Sequence, residues 1–269
     1  MTCSSVEIKH AMRAWLRLAL LLLAPMAVAG EVAPTNAAAP PSAEVAAIRT
    51  GYVAEYELLR DGKKEGAATV SLRALGDGRW ELRNLTTGTS GMAALLGLRI
   101  EEHSLVSWRH GRPQTEGYRY AQKMAFRKRT RSVVVDRDAG QIIGRDSRDD
   151  KNRIFALRDG ILDRQSVNLA LAADLGNGAA GALEYAVVGR HAISTWQFQI
   201  EQHAAIDTPA GCFDATVASR TRDDDGRVTR TWFARLPTPD ARAMLPVRVE
   251  QTEPGKDTLV MQLRSYSVN

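Results

Sequence analysis

Five cations crowd one short stretch of this chain: Arg119, Lys123, Arg127, Arg129 and Arg131. The last four are spaced by two or four residues, so a strand running through them would carry all four on one face. Arg119, on the strand before, extends that face. Four or five cations together make an electrostatic footprint for phosphates or carboxylates. The same pattern also suits a solvated outer face that keeps a sheet soluble. The alternate positions carry Met124 and Phe126. With Trp196, Phe198, Ile200 and Trp232 they would either line an apolar pocket inside a curled sheet or pack as an ordinary core.

Other chemistry is not spelled out. Gly88-Thr89-Ser90-Gly91 is not the G-x-S-x-G of a nucleophile elbow and joins no strand to a long helix. Cys212 follows a Pro-Ala-Gly turn with no conveniently spaced histidine. Once a leader carrying Cys3 is removed it is the only cysteine, and as a small thiol it is expected in the core. His103, His110, His191 and His203 form no H-x-x-x-H and no His/Cys pair at metal-ligand spacing. Asp223-Asp224-Asp225-Gly226 would need an acid at Thr221 and a Glu at Trp232 to be a calcium loop, so it is expected to be a hairpin tip. The expectation is a protein that is not an enzyme, with no catalytic residues, no metal and no cofactor.

The elements that would position these residues are strands. Gly51–Arg60 is closed by Asp61-Gly62, a strong hairpin turn. Gly66–Leu75, Arg79–Thr86, Leu98–Trp108, Gln114–Ala121, Lys123–Asp136 and Gln141–Arg145 follow. After them come Leu183–Gly189, Ala192–Gln202, Phe213–Arg222, Arg227–Arg235, Leu245–Gln251 and Thr258–Tyr266. Trp80 and Leu82 alternating with Glu81 and Arg83 show the period-two pattern of a half-buried strand. Met92–Leu96 has the length of one helical turn. Asp159–Leu175 is the one convincing helix, with Asp163 as N-cap candidate, Val167 and Leu171 one turn apart, and Gly176 as the stop. About a dozen strands at short spacing exclude a doubly wound parallel sheet. The fold class expected is mainly β, with one central helix and a sheet so long that it must curl, close or split into two layers.

The start of the chain carries an address. Lys9, His10, Arg13 and Arg17 precede an uncharged Leu/Ala-rich run that ends in Ala27-Val28-Ala29. That is the pattern of a secretory signal peptide over residues 1–29, too short for a transmembrane span. Residues 30–49 are Ala/Pro-rich and read as a disordered linker. Residues 50–269 are expected to form a single β domain, periplasmic after cleavage. The formal charge is +5, and removing Lys9, Arg13, Arg17 and Glu7 with the leader leaves +3. That excess is weaker than a nucleic-acid binder usually shows. Lipid headgroups or acidic polymers are the fitting anionic partners.

Several local features occur in a recognisable order. Tyr52 and Tyr56 precede Asp61-Gly62 and Gly66. Thr208-Pro209-Ala210-Gly211 stands before a strand. Thr231-Trp232-Phe233-Ala234 follows a hairpin, and Leu245-Pro246-Val247-Arg248-Val249-Glu250 comes after it. This order resembles the DUF3108 family of exported bacterial proteins of unknown function, over about Gly51–Val268. The resemblance implies an antiparallel sheet wrapped into an open barrel with Asp159–Leu175 as the helix inside, similar in shape to lipoprotein-carrier and lipocalin-like half-barrels. It implies no active-site residues. Two functions follow as expectations. One is a non-enzymatic carrier or sensor of a lipid-like apolar ligand in the cell envelope. The other is an envelope scaffolding protein that binds a protein or anionic polymer through its sheet edges or basic face.

Overall fold

The computed structural model describes residues 50–149, 151–222, 225–235, 237 and 243–268. The expected signal peptide and linker lie outside the described residues, as do Asp223 and Asp224 of the acidic turn.

Eight strands come first: β1 (Tyr52–Arg60), β2 (Lys63–Ala74), β3 (Arg79–Gly88), β4 (Arg99–Arg109), β5 (Arg112–Met124), β6 (Arg127–Asp136), β7 (Gln141–Asp146) and β8 (Arg153–Ala156). A one-turn helix α1 (Gly91–Leu95) interrupts them after β3. The helix α2 (Ser166–Gly176) then leads into β9 (Ala182–Val188), β10 (Ile193–Thr208), β11 (Gly211–Thr221), β12 (Val228–Arg235), β13 (Met244–Thr252) and β14 (Leu259–Val268). Alternation drives the strands. In β1, Tyr52, Ala54 and Tyr56 are buried while Glu55 is exposed, as a two-residue period requires.

All fourteen strands form one antiparallel sheet, in the order β8-β7-β6-β5-β4-β3-β2-β1-β14-β13-β12-β11-β10-β9. Each half is a meander, and the first and last strands pair in the middle. The expected hairpin at Asp61-Gly62 forms with both residues at positive φ, 44° and 76°. This geometry matches the twist of the flanking strands.

The free edges are β8 and β9, and the sheet is not closed strand to strand. The chain just before α2 stitches the seam. Leu162 N–H donates to the Ala186 carbonyl (3.0 Å), and Val188 N–H donates to that of Leu162 (2.8 Å). One residue earlier, the Ile161 carbonyl accepts from Thr115 of β5 (2.9 Å).

α2 fills the interior. Ten of its eleven residues are buried, the condition of a helix that is apolar all round. Leu169 and Ala173 pack with Tyr52, Tyr56, Leu82 and Leu245, while Val167, Leu171 and Leu175 pack with Tyr185, Phe198 and Phe233. A third cluster joins Tyr118, Val133 and Ile142 to Ile161 and Val188 across the seam. The helix is shorter than its sequence span and runs through Gly176. Asn177 caps it through Nδ2 to the Ala173 carbonyl (2.7 Å), and Gly178 takes the positive φ of 85°.

Three sequence expectations need correction. Lys123–Asp136 is not one strand: it turns at Ala125-Phe126, with Met124 opposite Arg127. Ala125 adopts φ 48° there, a conformation that alanine rarely signals. The short β8 was not read from the sequence at all. Cys212, expected in the core, is exposed at the start of β11.

Candidate functional site

The turn at Ala125-Phe126 resets the faces of the basic stretch. Arg127, Arg129 and Arg131 alternate with the exposed side and share the face of buried Val133. Arg119 and Lys123 lie on the opposite, outer face of β5, beside the buried Tyr118 position. The expected single basic face is therefore two. Arg131 serves the seam: its Nη2 donates to the Val188 carbonyl (3.1 Å), and burial pushes its pKa down. Arg127 and Arg129 are exposed beyond it.

The expected apolar pocket is also dispersed. Phe126 is fully exposed at the hairpin tip, and Met124 sits next to it, opposite Arg127. Phe198 is buried, edge-on to Tyr185 at 5.9 Å, with Trp196 beside it at 6.5 Å. Trp232 belongs to a different cluster, with the Arg248 guanidinium 5.7 Å from its ring centre. Among the described residues the five lie in separate places: a hairpin tip and two different core clusters.

The interior polar centre lies at the start of α2. Asp163 is fully buried and its carboxylate accepts from Ser104 Oγ (2.8 Å), Thr115 Oγ1 (2.9 Å), Gln165 N–H (2.8 Å) and Ser166 N–H (3.0 Å). The last two bonds satisfy backbone donors that a helix start leaves open. Burial pushes the Asp163 pKa up, against the pull of its four donors. Nearby, Tyr118 donates to Glu102 (2.6 Å), which also faces Arg164 at 3.3 Å. Each of these groups has its partner, so the arrangement secures the helix.

The hollows of the molecule lie outside, across β3 to β7. Cross-strand register sets Arg83, His103, Arg119, Ser132 and Arg145 in one row, one residue per strand, all facing outward. On β5 the neighbours of Arg119 along this face are Gly117 and Ala121, too small to fill the space beside it. Two adjoining troughs of about 520 and 710 Å³ open there, and both are lined by His103, Arg119, Ser132 and Arg145.

Charge is unevenly settled along this row. Glu81 takes Arg73 (2.7 Å), Arg83 (3.6 Å) and His103 (3.7 Å) as neighbours. Its pKa is lowered: burial pushes it up, but the Arg73 hydrogen bond and nearby cations outweigh that. Among the described residues, the Arg119 and Arg145 side chains have neither an ion pair nor a hydrogen bond. They stand two strands apart, roughly 10 Å backbone to backbone, with the Ser132 hydroxyl between them. Guanidinium groups so placed are donors for a phosphate or carboxylate. Lys123 and Lys128 face each other farther along the same surface.

The sequence pointed to Arg119 and Lys123, but not to Ser132 or Arg145. Their signal exists only as register across four strands, and that register hangs on the unmarked turn at Ala125-Phe126. Among the described residues, no three His, Cys, Asp or Glu side chains gather as a metal site, and no helix is long and apolar enough to cross a membrane.

A rolled antiparallel meander around a buried helix, with a charged trough on its outer wall, is a β-barrel-like architecture. The chain belongs to the DUF3108 family, proteins of unknown function, which it matches over residues 52–264. No curated protein matches it in sequence. It is similar to the crystal structure of a β-barrel-like DUF1849 protein from Brucella abortus, at 9% identity and a TM-score of 0.52, covering 83% of this chain and all of that one (100%). This likeness is one of fold. A second solved structure, titled "a putative lipoprotein" from Parabacteroides distasonis ATCC 8503, aligns at 10% identity and a TM-score of 0.28, over 83% of this chain and 98% of that one.

Proposed function

We propose that this protein is a non-enzymatic binding protein of the cell envelope, exported to the periplasm, that holds an anionic group of its partner in the outer trough. The observation that carries this reading is the pair Arg119 and Arg145, left without counter-ions on either side of Ser132 above two open hollows. A carrier with its ligand inside the sheet fits less well, because α2 is buried on every side there. The reading is therefore closest to the expected interaction protein acting through a basic face, with that face now relocated.

The test uses a soluble polyanion, inorganic polyphosphate of defined length, with neutral dextran as control. Polyphosphate is expected to bind with a strong salt dependence, and dextran is not. Arg119→Gln with Arg145→Gln should weaken binding at least tenfold, while Arg127→Gln with Arg129→Gln, on the other face, should change it less than twofold. Equal losses in the two double variants would mean diffuse surface charge and would overturn the site. Protein recovered from the periplasm is expected to begin at Gly30.

A further inference from the structure

We infer that the occupant of the trough is an anionic amphiphile, a phosphate- or carboxylate-headed molecule with one alkyl chain; the inference rests on the anion-binding reading above. The next cross-strand row on the same outer face is Glu81, Leu105, Gly117, Val134, Ile143 and Ile154. From Leu105 onward it contains no polar side chain. Val134 is 54% exposed and Ile154 63%, although both lie in strands. Large apolar side chains left in water mark a contact surface, and these two flank Ile143 of the intervening β7.

The two rows are two residues apart along each strand, so the apolar row begins roughly 7 Å from the Arg119–Arg145 pair. It runs over four strand spacings, roughly 19 Å, from Leu105 to the free edge at β8. Gly117 keeps its middle low: nothing rises there between Leu105 and Val134. The larger trough is lined by members of both rows, Arg119, Ser132 and Arg145 of one and Leu105, Val134 and Ile143 of the other; the Glu81 and Glu116 carboxylates that also line it are paired with Arg73 and Arg137. A purely polar anion would leave the apolar side wet, and a neutral oil would leave two guanidiniums unanswered. A head on the arginines with a chain lying crosswise over Gly117 satisfies both.

The experiment compares dodecyl phosphate, inorganic phosphate and dodecyl maltoside, each below its micelle concentration, by calorimetric titration of the full chain. Dodecyl phosphate is expected to bind at least tenfold tighter than either of the others. Val134→Thr with Ile143→Thr should weaken dodecyl phosphate about tenfold and leave polyphosphate binding unchanged. Arg119→Gln with Arg145→Gln should weaken both. An unchanged dodecyl phosphate affinity in the threonine variant, or a maltoside that binds as well as the phosphate, would overturn the amphiphile. If polyphosphate binding still depended on Arg119 and Arg145 in that event, the anion site would stand alone. If it did not, both readings would fall together. Circular dichroism of each variant checks that the sheet is intact; Ile154→Ser, at the outermost strand, repeats the test where the fold has least to lose.

Discussion

Asp163 shows how much one side chain organises. Its carboxylate ties two strands, through Ser104 and Thr115, to the first backbone donors of α2. Asp163→Ala should lower stability by about 3 kcal/mol in urea unfolding, since it removes the cap and strands buried donors. The pH dependence has a definite sign. A buried carboxyl with a raised pKa lends stability below the unfolded carboxylate range near pH 4 and loses it as pH rises through the folded value. The stability of wild type minus that of Asp163→Asn should therefore fall as pH rises; a constant difference would mean the group does not titrate in the native protein. The capping role was legible, because an aspartate shortly before an apolar run is a local signal. Ser104 and Thr115 were not legible as its partners, since they lie 59 and 48 residues away in sequence. The basic stretch failed differently: one alanine in a left-handed turn reversed the parity of every residue after it, which moved Arg127, Arg129 and Arg131 away from Arg119 and Lys123.

Among the elements, the strands with glycine-marked turns were legible and those without were not. Asp61-Gly62 and His110-Gly111 both sit at positive φ and end strands close to where the sequence ends them. β8 has four residues, alternating half-buried and exposed, too short a run to show a period. The element least visible in the sequence is the two-residue stitch at Ile161-Leu162, both fully or nearly fully buried. It bridges the seam with three backbone hydrogen bonds, to Ala186, Val188 and Thr115. Leu162→Ala should cost about 2–4 kcal/mol from the cavity it leaves. Amide exchange should show where the damage goes: Val188, which donates to the Leu162 carbonyl, should lose protection before the β1–β14 pair does. Equal acceleration everywhere would mean that the seam has no separate stability.

At the scale of the molecule, a long sheet of hairpins and one central helix followed from turn spacing and pattern, while the open barrel with that helix inside followed from the family resemblance. Strand order did not, because no local pattern says that the first strand pairs with the last. That pairing is extensive: β1 meets β14 from Tyr52 opposite Val268 to Arg60 opposite Leu259, and Tyr56 Oη donates to the Pro246 carbonyl of the neighbouring β13 (2.8 Å). Deleting residues 259–268 removes the hinge between the two meanders as well as one strand. The truncated chain is expected to lose its cooperative urea transition entirely. A sigmoidal transition surviving with more than half the native midpoint would show that the meanders fold independently.

The same arrangement bears on timing. During synthesis β1 emerges early and waits, with an unfilled flank, for more than two hundred residues. Its second neighbour is β14, far along the chain. Contacts this distant along the chain close slowly, so the sheet is completed only once β14 has been made. Until then one flank of β1 is an open template for any other strand.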